Sequence, residues 1–247
     1  MTSPRIRAVA AFCALGVLAF AAGCGGDDTK DSKDSKSDSG SSDFAKQSGD
    51  EIAAAAKADM AELDEVKFNA EFTSGGQDIT LEIQASAAGD CTGSVGIGDG
   101  TAEILAKDGT HWFKADEAFW RANAGDQADA VLTAVGDKWV LDTDSNFTQF
   151  CDLNAFFDQL FKDDAEAKPY KTVGTDEVDG QDVVKVEQAD DKGSATGYVL
   201  VDGEHYLVKL ERTEGDEPGH FDFSDFNEEF DVTAPADDEV IDLSTLQ

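Results

Sequence analysis

Basic residues are scarce in this sequence of 247 residues, in which 19 lysines and arginines stand against 53 aspartates and glutamates. The resulting formal net charge of −34 repels the phosphates of nucleic acids and anionic lipid surfaces at long range. We therefore expect no nucleic-acid partner. The same charge favours solubility and attracts cations diffusely, so an acidic surface that binds proteins or cations stays open as an alternative.

The motifs of common enzyme classes are missing as well. The sequence contains no nucleophile elbow, no phosphate-binding glycine loop, no dinucleotide fingerprint and no zinc-ligand spacing. Its three histidines, His111, His205 and His220, lie far apart, in or beside predicted strands. We expect a protein that is not an enzyme and that holds no cofactor.

One segment resembles the beginning of a calcium-binding loop. Residues 142–146 place acidic or amide side chains where a calcium-binding loop begins. That loop requires glycine at its sixth position and glutamate at its twelfth, where this sequence has Phe147 and Leu153. We therefore predict no metal site here, and we expect Asp144 or Ser145 to cap a following helix. A weak surface site for calcium, made by a few convergent oxygens, stays open.

The sequence has four cysteines, and its pattern suggests a role or a fate for each of them. Cys13 lies in the apolar N-terminal run, and Cys24 lies just after it. Cys91 and Cys151 remain as a pair, and in an exported domain such a pair forms a disulfide by default. Closing the long loop between them stabilises the fold by roughly 3–4 kcal/mol in the chain-entropy model. A catalytic thiol is the alternative, but neither cysteine has a histidine near it in sequence.

The N terminus has the segment order of an export signal. Arg5 and Arg7 precede a run without charges, which ends in Ala21-Ala22-Gly23-Cys24. The run is shorter than the roughly 20 apolar residues that span a bilayer. Small residues followed by cysteine resemble the lipobox of bacterial lipoproteins, although the family usually has leucine where Ala21 stands. An ordinary secretory signal and an uncleaved helix are the alternatives.

The lipobox resemblance implies a cleaved signal peptide at residues 1–23 and a diacylglycerol on the thiol of Cys24. The cell membrane would then hold the protein by this lipid anchor, on the extracytoplasmic face. Residues 24–50 are rich in Ser, Asp and Lys, and Phe44 and Ala45 carry the only apolar side chains after Cys24. Such a composition cannot offset its ordering entropy by burying apolar surface, so we predict a disordered acidic tether.

Residues 51–247 fit a single domain. Apolar residues at helical spacing predict a helix at residues 50–63 and an aromatic one at residues 144–162, with shorter helices between. Alternating apolar residues, separated by Gly-Gly or Asp-Gly turns, predict five strands before these shorter helices and four or five after them. From residue 235 we expect a tail. This order indicates an α+β fold with helices packed on one face of an antiparallel sheet.

Several segments then resemble exported lipoproteins of high-GC Gram-positive bacteria that have the LolA-like fold, of the LppX/LprG type. The segments are Gly109–Lys114, Phe119–Arg121, Lys138–Val140, Val178–Gly180, Gly203–Leu207, Phe223–Asp225 and Val232–Pro235. The resemblance implies a curved antiparallel half-barrel sheet covered by helices over an apolar cavity. Characterised members of that group carry lipids, glycolipids or lipoproteins, so it also implies an apolar ligand.

The sequence is rich in phenylalanine, which could line such a cavity. A sheet with one apolar face needs a cover, and an imperfect fit between sheet and cover leaves room for a ligand, whereas a tight fit leaves a packed core. We predict a membrane-anchored carrier of a lipid or other apolar molecule. The alternative is an envelope interaction or sensor domain whose partner is unknown. The candidate lining residues are Phe68, Phe72, Phe150, Phe156, Phe157, Phe161 and Phe221.

Overall fold

A computed structural model describes residues 41–143, 149–161, 168–190, 193–213 and 218–246. The predicted signal peptide, the lipidation candidate Cys24 and most of the predicted tether lie outside these residues. So do the two predicted cap residues, Asp144 and Ser145. In the described part of the chain, no helix has the length and apolar character needed to cross a bilayer.

The described strands form one open sheet in the order β12-β6-β5-β4-β3-β2-β1-β11-β10-β9-β8-β7. Each neighbouring pair is antiparallel except β12 and β6, which run parallel. The strands are β1 Glu65–Ser74, β2 Gln77–Ser86, β3 Cys91–Ile97, β4 Gly100–Lys107, β5 Thr110–Ala115, β6 Trp139–Leu141, β7 Lys171–Val178, β8 Gln181–Asp190, β9 Gly193–Leu200, β10 Leu207–Arg212, β11 Gly219–Ser224 and β12 Val240–Ile241.

Alternation and turn chemistry explain most of this sheet. In β1, Val66 and Phe68 are fully buried while Asn69 on the other face is exposed, as expected for a sheet with one covered face. Asp108 and Gly109 both have positive φ angles, 50° and 76°, between β4 and β5. Two positive φ angles are what a type I′ hairpin turn requires, and Asp-Gly supplies them.

Strands β1–β6 pair consecutively and form the first meander, and strands β7–β11 do the same and form the second. The pairing of β1 with β11 joins these two meanders into one sheet, and we call it the seam. Phe68 lies opposite Phe223, and Phe72 lies opposite Gly219. A Cβ atom on Gly219 would lie only 2.4 Å from the Cβ atom of Phe72. Glycine at this position therefore allows the two strands to approach closely enough to pair.

Five described α-helices accompany the sheet: α1 Ser41–Phe44, α2 Gly49–Met60, α3 Glu117–Ala124, α4 Ala128–Val135 and α5 Leu153–Leu160. Ser48 caps α2, because its hydroxyl accepts from the N–H of Glu51 while the Glu51 carboxylate accepts from the N–H of Ser48. The sequence predicted a start at Asp50. That carboxylate instead accepts from the N–H of Tyr170, at 2.9 Å.

The predicted continuous helix at residues 144–162 was wrong in its described part. A 3₁₀ turn at Gln149–Cys151 is followed by a separate helix, α5. Asp152 lies between them with non-helical backbone angles, and its carboxylate accepts from the N–H of Ala155 at 3.0 Å. A local cap of this kind restarts the helix, and apolar spacing alone cannot reveal it.

A disulfide joins Cys91, the first residue of β3, to Cys151 at the end of the 3₁₀ turn. The two Cα atoms are 5.3 Å apart, and both residues are buried. The bond fastens the segment before α5 to the sheet. Beside it, Lys107 donates a hydrogen bond to Asp90 and holds the pKa of that carboxyl below its usual range.

The folded part begins before Glu51, the boundary that the sequence predicted. Phe44 is buried, and its ring stacks on His205 with 3.5 Å between the ring centroids. Thr172 donates a hydrogen bond to the carbonyl of Gln47 at 3.0 Å. The last residues of the predicted tether therefore pack against β7 and the β9–β10 connection. The predicted C-terminal tail also contributes a strand, since β12 pairs with β6.

Candidate functional site

A pocket of about 410 Å³ lies on the helix-covered face of the sheet. Its floor comes from β1 and β8–β11, and its cover from α2 and the end of α5. It is lined by Ala53, Ala56, Phe72, Ser74, Leu160, Phe161, Tyr170, Val186, Gln188, Ala195, Gly197, Val199, Leu207, Leu210, Arg212, Gly219 and Phe221.

The inner part of the pocket floor is apolar. Strand register aligns Val186, Gly197, Leu210 and Phe221 as one row across four strands. Behind it, Val199 of β9 lies opposite Leu207 of β10, and both are buried. The side chains of Leu207 and Val186 close in on Gly197, since a Cβ atom there would lie 3.1 Å from Leu207 and 3.4 Å from Val186. These rows offer a ligand apolar surface without a charged group.

The polar lining residues of the floor gather at one end of the pocket. Gln188 lies opposite Ala195, which lies opposite Arg212, and Arg212 lies opposite Gly219. Ser74 lies two residues beyond Phe72 along β1, at the same end. We call Ser74, Gln188 and Arg212 the polar end. The pocket is therefore amphipathic along the direction of its strands.

The cover of the pocket combines small and large side chains. Ala53 and Ala56 of α2 lie over the floor, and their short side chains leave volume beneath the helix. Leu160 and Phe161 close the pocket from the end of α5. Lys57 of α2 donates a hydrogen bond to the carbonyl of Phe161 at 3.1 Å, which links the two covering helices.

The seven phenylalanines proposed as cavity lining fall into two groups. Phe72, Phe161 and Phe221 line the pocket, and the rings of Phe72 and Phe221 stack with centroids 5.6 Å apart. The other four are absent from the lining and pack in the core; they are Phe68, Phe150, Phe156 and Phe157.

The core group forms an aromatic layer between α5 and the seam. Phe156 stacks on Phe68 with centroids 4.7 Å apart and also contacts Phe223. Phe157 packs against Phe223 from the same helix. These rings fill the space between α5 and the sheet beside the pocket. They belong to the packed core and are not among the residues that line the pocket.

Sequence reasoning missed the small residues of the pocket. Ala53 and Ala56 leave volume beneath α2, yet a run of alanines is also what ordinary helix propensity predicts. It also missed Arg212, whose position two residues after Leu210 puts both side chains on the same face of β10. That alternation could have identified an arginine on the covered face.

The remaining candidate chemistry does not converge on this pocket. His111 lies in β5 and His220 in β11, with four strands between them, while His205 precedes β10. Among the residues that the structure describes, no group of three or more His, Cys, Asp or Glu side chains could hold a metal ion.

Comparisons with solved structures identify the fold. LprF from Mycobacterium bovis superposes with a TM-score of 0.54 at 12% sequence identity, covering 76% of this chain and 97% of that one. The fold is LolA-like. Lipoprotein LppX from Mycobacterium tuberculosis matches with a TM-score of 0.48 at 14% identity, over 74% of this chain and 98% of LppX.

Comparisons of the sequence with family models and with curated proteins found no match. In this LolA-like chain the pocket lies between the sheet and its helical cover.

Proposed function

We propose that this protein is an extracytoplasmic lipoprotein, anchored to the membrane by a lipid on Cys24, that binds a lipid or another apolar molecule in its pocket. The observation that carries the proposal is the apolar floor beneath α2, where the covering side chains include the short ones of Ala53 and Ala56. Binding sites for small molecules are typically concave, largely apolar and roughly 300–1,000 Å³ in volume, and a pocket of 410 Å³ falls within that range.

The pattern of charges supports a carrier rather than an enzyme. Among the lining residues that the structure describes, Arg212 carries the one charge, and there is no carboxylate, cysteine or histidine that could act as an acid, base or nucleophile. A protein with this pocket can hold a ligand and shield it from water. Since burial of apolar surface stabilises by about 25 cal/mol per Å², such shielding would be favourable for an acyl chain.

The binding proposal predicts a lipid that co-purifies with the protein. The mature chain from residue 24, with Cys24→Ser to keep it soluble, would be produced in a membrane-containing host and extracted with organic solvent. We expect about one apolar molecule per protein by quantitative mass spectrometry, because the pocket has room for one ligand of this size class.

Matched variants on α2 make this test specific. Ala53→Phe places a ring in the pocket and should reduce the bound lipid at least tenfold. Ala54→Phe makes the same change at the next residue, which is exposed, and should leave the lipid in place. Absence of any lipid from the wild-type extract, or equal lipid in both variants, would overturn the proposal.

The anchor is tested separately in the full-length chain. We expect Cys24→Ser to abolish incorporation of labelled palmitate and to prevent lipid-dependent retention in the membrane fraction. Cys13→Ser serves as the control, since Cys13 lies within the predicted signal and leaves with it. Undiminished palmitate labelling of the Cys24→Ser protein would rule out Cys24 as the acylated residue.

A further inference from the structure

We infer that the inner end of the pocket holds the end of an unbranched alkyl chain, and that Ala56 sets the length of chain that fits. This inference rests on the proposed function and specifies the class of ligand and the residue that selects it. Three observations carry it: the pocket narrows inward, core side chains close its inner end, and a single short side chain lies over that end.

The pocket narrows toward its inner end. The apolar row described above lines it across four strands, from β8 to β11. In the next row inward, Val184 lies opposite Val199, and Val199 lies opposite Leu207. Of these three described residues, Val199 and Leu207 line the pocket, whereas Val184 is fully buried in the core. Since neighbouring strands lie about 4.8 Å apart, this inner width suits one alkyl chain and excludes a bulky ring system.

Core side chains close the inner end. Val201 lies two residues beyond Val199 and is buried, and Met60 is buried on the last turn of α2. Both pack in the core cluster, and neither lines the pocket. The structure describes all of α2 and all of residues 193–213, so this closure depends on described residues. A buried polar atom without a hydrogen-bond partner is costly, and therefore the ligand should present an apolar chain end here.

Helix α2 runs along the pocket and ends above its inner part. In the first turn, the Asp50 carboxylate accepts a hydrogen bond from the N–H of Tyr170, which precedes β7 beside the polar end. Near the other end, the Asp59 carboxylate accepts from the N–H of His205 at 2.7 Å, two residues before Leu207. The residues late in the helix therefore lie nearer the inner end of the pocket than the early ones.

Ala56 is the short side chain over this inner end. Residues four apart share one face of a helix, so Ile52, Ala56 and Met60 follow one another on the buried face of α2. Ile52 and Met60 are long, buried and outside the lining, whereas Ala56 lies between them and lines the pocket. The space beneath α2 therefore exists where a short side chain interrupts two long ones. A longer side chain at position 56 would occupy the place of the chain end.

The test measures how affinity depends on chain length. Delipidated mature chain carrying Cys24→Ser is titrated calorimetrically with straight-chain primary alcohols, from octanol to hexadecanol, which share one neutral head group. We expect affinity to rise about fourfold with each added methylene until the inner end is filled, and then to stop rising. Farnesol, which carries methyl branches on a chain as long as that of dodecanol, should bind about tenfold more weakly than dodecanol, because branches overfill a narrow space.

Variants on both sides of the inner end should move this limit in opposite directions. Ala56→Leu adds carbon atoms to the cover and should shorten the longest well-bound chain by about three methylenes. Val199→Ala removes carbon atoms from the floor and should lengthen it by about two. Ala58→Leu makes the matched change at an exposed position of α2 and should leave the limit where it is. Thermal denaturation followed by circular dichroism checks that each variant is folded.

The outcomes separate this inference from the proposed function. The same limit in wild type, Ala56→Leu and Val199→Ala, or an affinity that rises through the whole series, would overturn the role of the inner end. If Ala56→Leu does not fold, an unchanged limit in Val199→Ala overturns it alone. Equal affinities for farnesol and dodecanol would overturn the unbranched chain. Failure of every alcohol to bind would overturn the alkyl assignment where a lipid co-purifies with the protein, and the proposed function itself where none does.

Discussion

Replacing Phe68 with alanine is expected to lower the free energy of unfolding by about 3–5 kcal/mol, the range observed for Phe→Ala in packed cores. Phe68 is fully buried, stacks on Phe156 at 4.7 Å between ring centroids, and packs against Phe223 at 6.1 Å. Its removal leaves a cavity between α5 and the seam. Denaturation by urea, followed by circular dichroism, measures the loss.

Two further substitutions control for the Phe68 result. Val173→Ala changes a side chain that is 47% exposed and should alter stability by less than about 0.5 kcal/mol. Phe72→Ala removes a ring from the pocket wall, where the space is already open, and should cost less than Phe68→Ala. A loss below about 1 kcal/mol for Phe68→Ala would contradict the assignment of this ring to the packed core.

Replacing both Cys91 and Cys151 with alanine is expected to lower the free energy of unfolding by about 4 kcal/mol in the chain-entropy model. The disulfide closes a separation of 60 residues, so its removal frees a long loop in the unfolded chain. Thermal and urea denaturation of the exported wild-type and double-variant chains would measure the difference.

Reduction provides an independent control for the disulfide. Wild-type protein in a strong reductant should show the same loss, and the double variant should not respond to the reductant. Cys24→Ser, which leaves both bonded cysteines in place, should keep full stability. Free thiols at both Cys91 and Cys151 in exported protein, detected by mass spectrometry, would contradict the bond.

The sequence was sufficient to predict the long strands and their order along the chain. The glycine-rich strand β3, Cys91–Ile97, is one of the five strands predicted before the shorter helices, and a glycine with positive φ marks a turn on each side of it, at Gly89 and Gly98. The pair Val240–Ile241 escaped prediction, since two residues are too short for any alternation to register. Their pairing with β6 depends on a contact distant in sequence.

Of the seven phenylalanines that the sequence suggested as cavity lining, three border the pocket. Phe72, Phe161 and Phe221 line it, while Phe68 and Phe156 pack in the core. Phenylalanine is equally hydrophobic in both groups, so hydrophobicity does not distinguish them. Rings contact one another in both groups, as Phe156 does with Phe68 and Phe72 with Phe221, and the groups differ in whether the ring also borders the pocket beneath α2.

The composition of residues 24–50 also failed to show where the folded part begins. A polar segment predicts disorder because its average burial is low, and one aromatic residue hardly changes that average. Phe44 nevertheless stacks on His205, whose N–H donates to the Asp59 carboxylate of α2 at 2.7 Å. Contacts of Phe44 with His205 and of Gln47 with Thr172 therefore hold this segment against the sheet, and its average composition does not reveal them.

The pocket is built from strands on both sides of the seam between β1 and β11. β1 of the first meander contributes Phe72 and Ser74 to the pocket floor, and β8–β11 of the second meander contribute the rest of it. Neither meander alone therefore supplies the whole floor. Ligand capacity is therefore a joint property of two halves, and separated fragments would regain it only by reassembling along this one strand pair.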